Sequence, residues 1–316
     1  MSPVMENLMK NIEANLLQRS VIWHRIIFQR TLLKIMYAIS PLFLMKYRHL
    51  MLKGSLPNLR DPRTFDEKLI WLNFFWRHPL KTLCGDKYTM RAYVEQHGLG
   101  HILAPLLGIY NNPGEIDFER LPQKFVVKCT HGCGFNVICQ DKKSLDINAA
   151  KRKLAKWMKE DFSKIYGEIH YATMKPRIIC EIFLEDSSTG LPTDYKVYCF
   201  YGKVHCTMVC TGRDVNTRAK QYIFYDAEWK SKLPYNSQSM LAGTNIPKPA
   251  AYEEIIHSAE QLSKPFPFVR MDFYSIKGRA ILGEMTFTPD GCIDPNLTEA
   301  AQRVMGNLIL LPEKVC

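Results

Sequence analysis

Between Lys124 and Val137 the chain reads KFVVKCTHGCGFNV, a stretch with the parts needed to hold an anion. Phe125-Val126-Val127 is apolar and partly β-branched, as in a buried strand. Lys128 stands at its end, and Thr130-His131-Gly132-Cys133-Gly134 follows as a loop with two glycines. Glycine permits positive φ and a close backbone approach to a ligand. Such a turn aims successive N–H groups at an anion, and a neighbouring lysine adds a point charge for phosphate. Phe135 to Cys139 reads as a second strand. On these residues two readings stand open: a lid over a nucleotide triphosphate, or a hairpin with a glycine turn and a surface lysine.

Asp272 and Glu284 are the acids that carry most chemical information. Phe268 to Tyr274 and Arg279 to Thr286 read as strands joined at Ile276-Lys277-Gly278, which brings the two carboxylates side by side. Apolar neighbours (Phe268, Val269, Phe273, Ile281, Leu282) predict burial. Inward carboxylates there require a cation, and Mg²⁺ shared with nucleotide phosphates meets that need. The other reading is a salt bridge to Arg270 or Arg279, or an outward-facing acid. Cys129, His131, Cys133 and Cys139 also cluster, but no second CxxC pair or HxxxH completes a zinc set.

The chain that must position these groups has 316 residues, enough for two or three lobes. Its 47% hydrophobic and 23% charged residues are ordinary for a soluble globular protein. A net charge of +11 favours an anionic partner. The basic excess is spread along the chain, without an aromatic-basic RNA motif or zinc-finger spacing, so no nucleic-acid partner is expected. The ten cysteines and the absence of an apolar core in MSPVMENLMKNIEANLLQRS predict free thiols in a reducing cytoplasm.

Residues 1–55 predict a basic amphipathic helical extension: apolar residues from Val21 to Tyr37 recur near helical spacing, with Arg19, His24, Arg25, Arg30 and Lys34 interleaved. It either packs on the body of the protein or lies on an anionic membrane surface. Thr64 and Glu67 have capping-box spacing before a helix bearing Leu69, Leu72 and Phe75. A helix over 88–97, a strand over 102–110, a helix over 144–161 and a strand over 177–184 come next. Residues 194–204 alternate as a strand running into a tight turn, with 204–210 as its partner. Residues 211–250 read as irregular and polar, with 222–225 as a candidate strand. Helices are expected over 252–262 and 298–311.

The order of these pieces resembles the ATP-grasp superfamily, and within it the branch named after the teichuronopeptide-biosynthesis protein TupA. The matching text is PRTFDEKLIWL at 62–72, DKYTMRAYV at 86–94, LPQKFVVKCTHGCGFNVI at 121–138, KPRIICEIFL at 175–184, DYKVYCFYGKV at 194–204 and VRMDFYSIKGRAILGEMTFTPDGC at 269–292. The resemblance implies an α+β fold whose two lobes clamp ATP between antiparallel sheets, in addition to the N-terminal helical extension. The implied units are 56–114, an N-terminal subdomain; 115–185, a lid subdomain; and 186–316, a core with the metal site. It further implies that Lys87 and Lys128 touch phosphates and that His131, Gly132, Cys133 and Gly134 belong to the lid. Glu181 with Ile182, Phe183 and Leu184 would meet adenine and ribose, and Lys196 the phosphate or an acyl-phosphate. Asp272 and Glu284 would hold Mg²⁺, and Arg270 would face the transferred phosphate or the acid.

Two positions depart from the pattern. Thr286 replaces the amide common at the second metal position, and its hydroxyl is a weaker ligand. Cys133 stands where serine is expected, and a thiol is a poorer donor to phosphate. The implied activity is a carboxylate–amine ligase that forms an amide through an acyl-phosphate, acting on an acidic sugar of a capsule or other surface polysaccharide. Its expected place is the cytoplasm, at the inner face of the membrane. The alternatives are a glycosyltransferase, which needs an Asp-x-Asp that the chain lacks, a phosphotransferase acting on a sugar hydroxyl, and a non-catalytic nucleotide-binding scaffold. Residues 211–250, with Arg213, Arg218 and Lys220, are the expected acceptor side.

Overall fold

The structure is a computed structural model that describes residues 31–185, 191–211, 221–236 and 245–313. Residues 31–39 are helical (α1), and Pro41–Lys53 forms α2. At the junction the Ser40 hydroxyl accepts from the Phe43 N–H, with Pro41 in the first turn. Leu44, Met45 and His49 of α2 are buried. Lys53 lies 3.2 Å from Asp66 and donates to the Asp294 carbonyl at 2.6 Å. This helix therefore packs on the body. Arg19, His24, Arg25, Arg30 and the rest of residues 1–30 lie outside the described residues, as do 186–190 and the expected acceptor residues Arg213, Arg218 and Lys220.

Three helices come after it: α3 (Phe65–Phe75), α4 (Pro79–Gly85) and α5 (Thr89–Gln96). The predicted capping box starts α3: Thr64 accepts from the Glu67 N–H, and the Glu67 carboxylate accepts from the Thr64 N–H. The strand expected over 102–110 shortens to β1 (Leu106–Tyr110), because Gly100–Ile102 winds into a 3₁₀ turn. Pro105 has no N–H to give a ladder, although its carbonyl accepts from Ile182 at 3.2 Å.

Next come β2 (Phe125–Cys129), β3 (Asn136–Cys139), α6 (Ile147–Met158), α7 (Ser163–Tyr166) and β4 (Ile178–Ile182). Helix α6 begins three residues later than predicted because the Asp146 carboxylate caps it, accepting from the Ala149 N–H at 2.8 Å. The remaining elements are β5 (Asp194–Phe200), β6 (Lys203–Thr211), β7 (Gln221–Asp226), β8 (Lys232–Leu233), α8 (Tyr252–Ser263), β9 (Val269–Ile276), β10 (Arg279–Thr286) and α9 (Glu299–Leu308). Strand β7 realises the candidate strand at 222–225, and β8 adds a short one within the stretch expected to be irregular.

Two antiparallel sheets result. One has four strands in the order β1-β4-β2-β3, and the other has six in the order β10-β9-β5-β6-β7-β8. Strand alternation builds a core behind the smaller sheet: Phe125, Val127 and Cys129 pack with Leu154, Phe162, Ile178 and Cys180. A larger core joins α3, α5 and α9 to the six-stranded sheet through Phe65, Leu69, Val94, Phe268, Phe273 and Met305. The nine described cysteines are free thiols.

Candidate active site

The period of β2 that buries Phe125, Val127 and Cys129 turns Val126 and Lys128 to the other face. Val126 is the register partner of Glu181 on β4 and of Ile138 on β3. Lys128 Nζ lies 2.6 Å from the Glu181 carboxylate, and Arg91 Nη1 lies 3.5 Å from it. Burial alone would lower the Lys128 pKa, but Glu181 outweighs it and the ammonium is raised. These side chains, with Ile182, Phe183, Leu184 and Pro192, line an apolar slot closed by Tyr274 of β9. Both sheets therefore form its walls.

The loop after β2 is anchored by residues just before α5 and by the last strand of the larger sheet. Lys87 Nζ donates to the Gly132 carbonyl at 2.9 Å and lies 3.1 Å from Glu284 of β10. The Thr130 hydroxyl donates to Asp86 at 2.6 Å, and Asp86 in turn accepts from the N–H groups of Tyr88 and Thr89. Of the two glycines, Gly134 takes φ 75°, whereas at Gly132 an added Cβ would lie 2.7 Å from the Phe135 ring. The His131 imidazole is directed away from the cleft: its Nε2 lies 3.1 Å from the Trp157 carbonyl, and Nδ1 is buried without a partner. Burial lowers its pKa, which keeps it neutral. Cys133 instead lines the cleft beside Arg270 and Glu284.

On the six-stranded sheet, Asp272 and Glu284 are register partners, brought opposite each other by a bulge between Leu282 and Glu284. Asp272, 2% exposed, accepts from Arg270 at 2.7 and 2.8 Å and is paired with Lys196. Lys196 also lies 2.8 Å from Asp194. The salt-bridge reading of Asp272 is thus realised through Arg270, while Arg279 stands exposed at the start of β10. Thr286 donates to the Glu284 carboxylate at 3.2 Å. Burial raises the Asp272 carboxyl despite Arg270 and Lys196. At Glu284 burial acts the same way, but Lys87, Lys196 and Arg270 prevail and hold the carboxyl well below the usual range.

Lys87, Lys196 and Arg270 thus stand beside Asp194, Asp272 and Glu284 at a cleft that Cys133 of the loop after β2 also lines. Among the described residues no group of three or more His, Cys, Asp or Glu side chains is arranged to hold a metal ion. Two oxygen donors in register fit Mg²⁺ only if phosphate and water oxygens complete its shell. The cleft continues beyond Glu284 into a cavity of about 440 Å³ that also contains Arg48, Glu168, Tyr171, Thr288 and Asp290. Sequence reasoning missed these five. No motif surrounds Glu168 or Arg48; the only signal at 288–291 is the Thr-Pro-Asp-Gly turn after β10.

Among curated proteins no match to this chain is found. Among solved structures, the ATP-grasp ligase PsnB complexed with minimal precursor aligns at 14% identity over 66% of this chain and 54% of its own, with a TM-score of 0.39. An L-amino acid ligase from Bacillus licheniformis aligns at 15% identity over 66% of this chain and 44% of its own, with a TM-score of 0.42. The D-alanine–D-alanine ligase from Bacillus anthracis complexed with ATP aligns at 12% identity over 72% and 65%, with a TM-score of 0.43. The chain therefore spans about half the length of the first two. The model of the TupA-like ATP-grasp family matches residues 67–310, most of the sequence. The chain belongs to the TupA-like ATP-grasp family and has the ATP-grasp fold.

Proposed function

We propose that the protein is an ATP-dependent carboxylate–amine ligase. The observation that carries this reading is the register pair Asp272–Glu284, facing Lys87, Lys196 and Arg270 beneath the loop at 130–134. ATP enters with its base in the slot of Val126, Ile138, Ile182 and Tyr274, beside Lys128 and Glu181. Its phosphates run from Lys128 toward Lys87, Lys196 and the loop N–H groups. Asp272, Glu284 and Thr286 would hold Mg²⁺, which would supply positive charge where charge spreads over the transferring phosphoryl group. A carboxylate oxygen of the acid attacks the γ-phosphorus, the bond to ADP breaks, and an acyl-phosphate forms. The acceptor ammonium gives up a proton, the neutral amine nitrogen attacks the acyl carbon, inorganic phosphate leaves, and loss of a second proton from nitrogen to solvent gives the amide.

The acid in this reading is an acidic sugar of a surface polysaccharide, in keeping with a net charge of +11. The protein works at the inner face of the membrane. Support for that place comes from exposed apolar side chains on α1 and α2: Ile35 (54%), Ile39 (71%), Phe43 (47%) and Met51 (64%). Among the described residues no helix is long and apolar enough to cross a membrane, so the contact is peripheral. ADP release that needs an acid and an amine together supports the ligase reading. Turnover with a hydroxyl acceptor alone rejects it in favour of phosphotransfer.

A further inference from the structure

Among the described residues, other acids facing the cleft have a cation at hand: the buried Asp194 and Asp272 have Lys196, and the half-buried Glu284 has Lys87. Glu168 differs. It lies between α7 and the 3₁₀ turn Ile169–Thr173, is 5% exposed, and accepts a hydrogen bond from the Thr288 hydroxyl. Among the described residues no ion pair reaches it. Arg48, the cation on that side of the cavity, uses its guanidinium on main-chain carbonyls: Tyr166 at 2.7 Å, Gly291 at 2.8 Å and Asp290 at 3.4 Å.

That use of Arg48 is built into the wall. Asp290, Gly291 and Cys292 all take left-handed backbone, with φ of 51°, 63° and 69°. A Cβ on Gly291 would lie 2.9 Å from both terminal nitrogens of Arg48. The turn and the guanidinium are thus fitted to each other, and the hydrogen bonds of Arg48 go to main-chain carbonyls rather than to Glu168. A carboxyl buried to this depth and met by one hydroxyl must keep a proton or receive a cation. Burial, with Asp290 and Glu284 adding to it, pushes its pKa up to about 7 against Thr288 and Arg48.

The geometry points to Glu168 as the group that receives the ammonium of the acceptor, at the end of the cleft beyond Glu284 and next to the Arg48-clamped turn. The ligand class is a small primary amine, and a cavity of about 440 Å³ takes one the size of an amino acid or amino sugar. This inference rests on the ligase reading and adds to it the site and charge of the second substrate.

The test uses the full chain loaded with Mg²⁺ and a non-hydrolysable ATP analogue, followed by calorimetry and thermal shift. The probes are the common amino acids and D-glucosamine, each paired with its N-acetyl form. At least one free amine should bind saturably, with its N-acetyl form at least tenfold weaker. Glu168→Gln should weaken that amine at least tenfold and leave the nucleotide response unchanged, which also reports that the variant is folded. Glu168→Asp should fall between the two. If no free amine binds the nucleotide-loaded protein, or if Glu168→Gln binds it as well as the parent does, the amine subsite is wrong. An absent nucleotide response in the parent protein overturns the ligase reading as well.

Discussion

Lys87 and Glu284 meet across the cleft: the ammonium lies 3.1 Å from the carboxylate while it donates to the Gly132 carbonyl at 2.9 Å. One lysine just before α5 thus joins the loop after β2 to the last strand of the larger sheet. Burial opposes its charge, but Glu284 and Cys133 raise its pKa, so it stays protonated. Lys87→Met leaves the half-buried Glu284 with less compensation, which costs about 2 kcal/mol for a hydrogen-bonded charge of this kind. Urea denaturation should show that loss, and adding Glu284→Gln to Lys87→Met should restore part of it.

Glu168 makes a second expectation, on pH. Its folded pKa, about 7, lies above its ordinary value of 4.5. Such a carboxyl favours the folded state below the lower value and loses that advantage as pH rises through the upper one. Glu168→Gln should therefore become more stable relative to the parent between pH 4.5 and 7, by about 3 kcal/mol at full effect. Parallel denaturation curves across pH check this; a difference that stays flat contradicts it.

Arg48 clamps a left-handed turn with two hydrogen bonds and ties it to the Tyr166 carbonyl with a third, so Arg48→Ala should destabilise by about 2 kcal/mol. Gly291→Ala should cost a comparable amount, because its Cβ meets the same guanidinium and its φ is 63°. The two losses should combine less than additively, as they disrupt one contact. Thermal melts of the single and double variants measure it.

The exposed side chains Ile39 and Phe43 give a prediction on surfaces. Replacing both with Ser should abolish co-sedimentation with phosphatidylglycerol vesicles and leave nucleotide binding intact. Binding of the parent protein should fall with added salt, since the attraction is partly electrostatic.

Much of this arrangement was legible in the sequence because strand alternation reports which face a residue takes. Asp272 and Glu284 were expected side by side because their strands read as one hairpin, and the alternation of β2 explains why Lys128 faces away from Phe125, Val127 and Cys129. Alternation does not report what a face meets. Glu168 finds Thr288 across 120 residues, and Arg48 finds Gly291 across 243, with no local pattern at either end. The 3₁₀ turn at Gly100–Ile102 was hidden for a related reason: its apolar residues look like strand residues until Pro105 is counted as a missing donor.

The central claim is that Lys87, Lys128, Asp272 and Glu284 serve one nucleotide. A crystal structure with Mn²⁺ and a non-hydrolysable ATP analogue tests it most directly. The account predicts an anomalous peak between the Asp272 and Glu284 carboxylates, with phosphate oxygens within hydrogen-bond reach of Lys87 and Lys128. Nucleotide bound elsewhere, or carboxylates that keep their lysine and arginine partners with no metal between them, would contradict it.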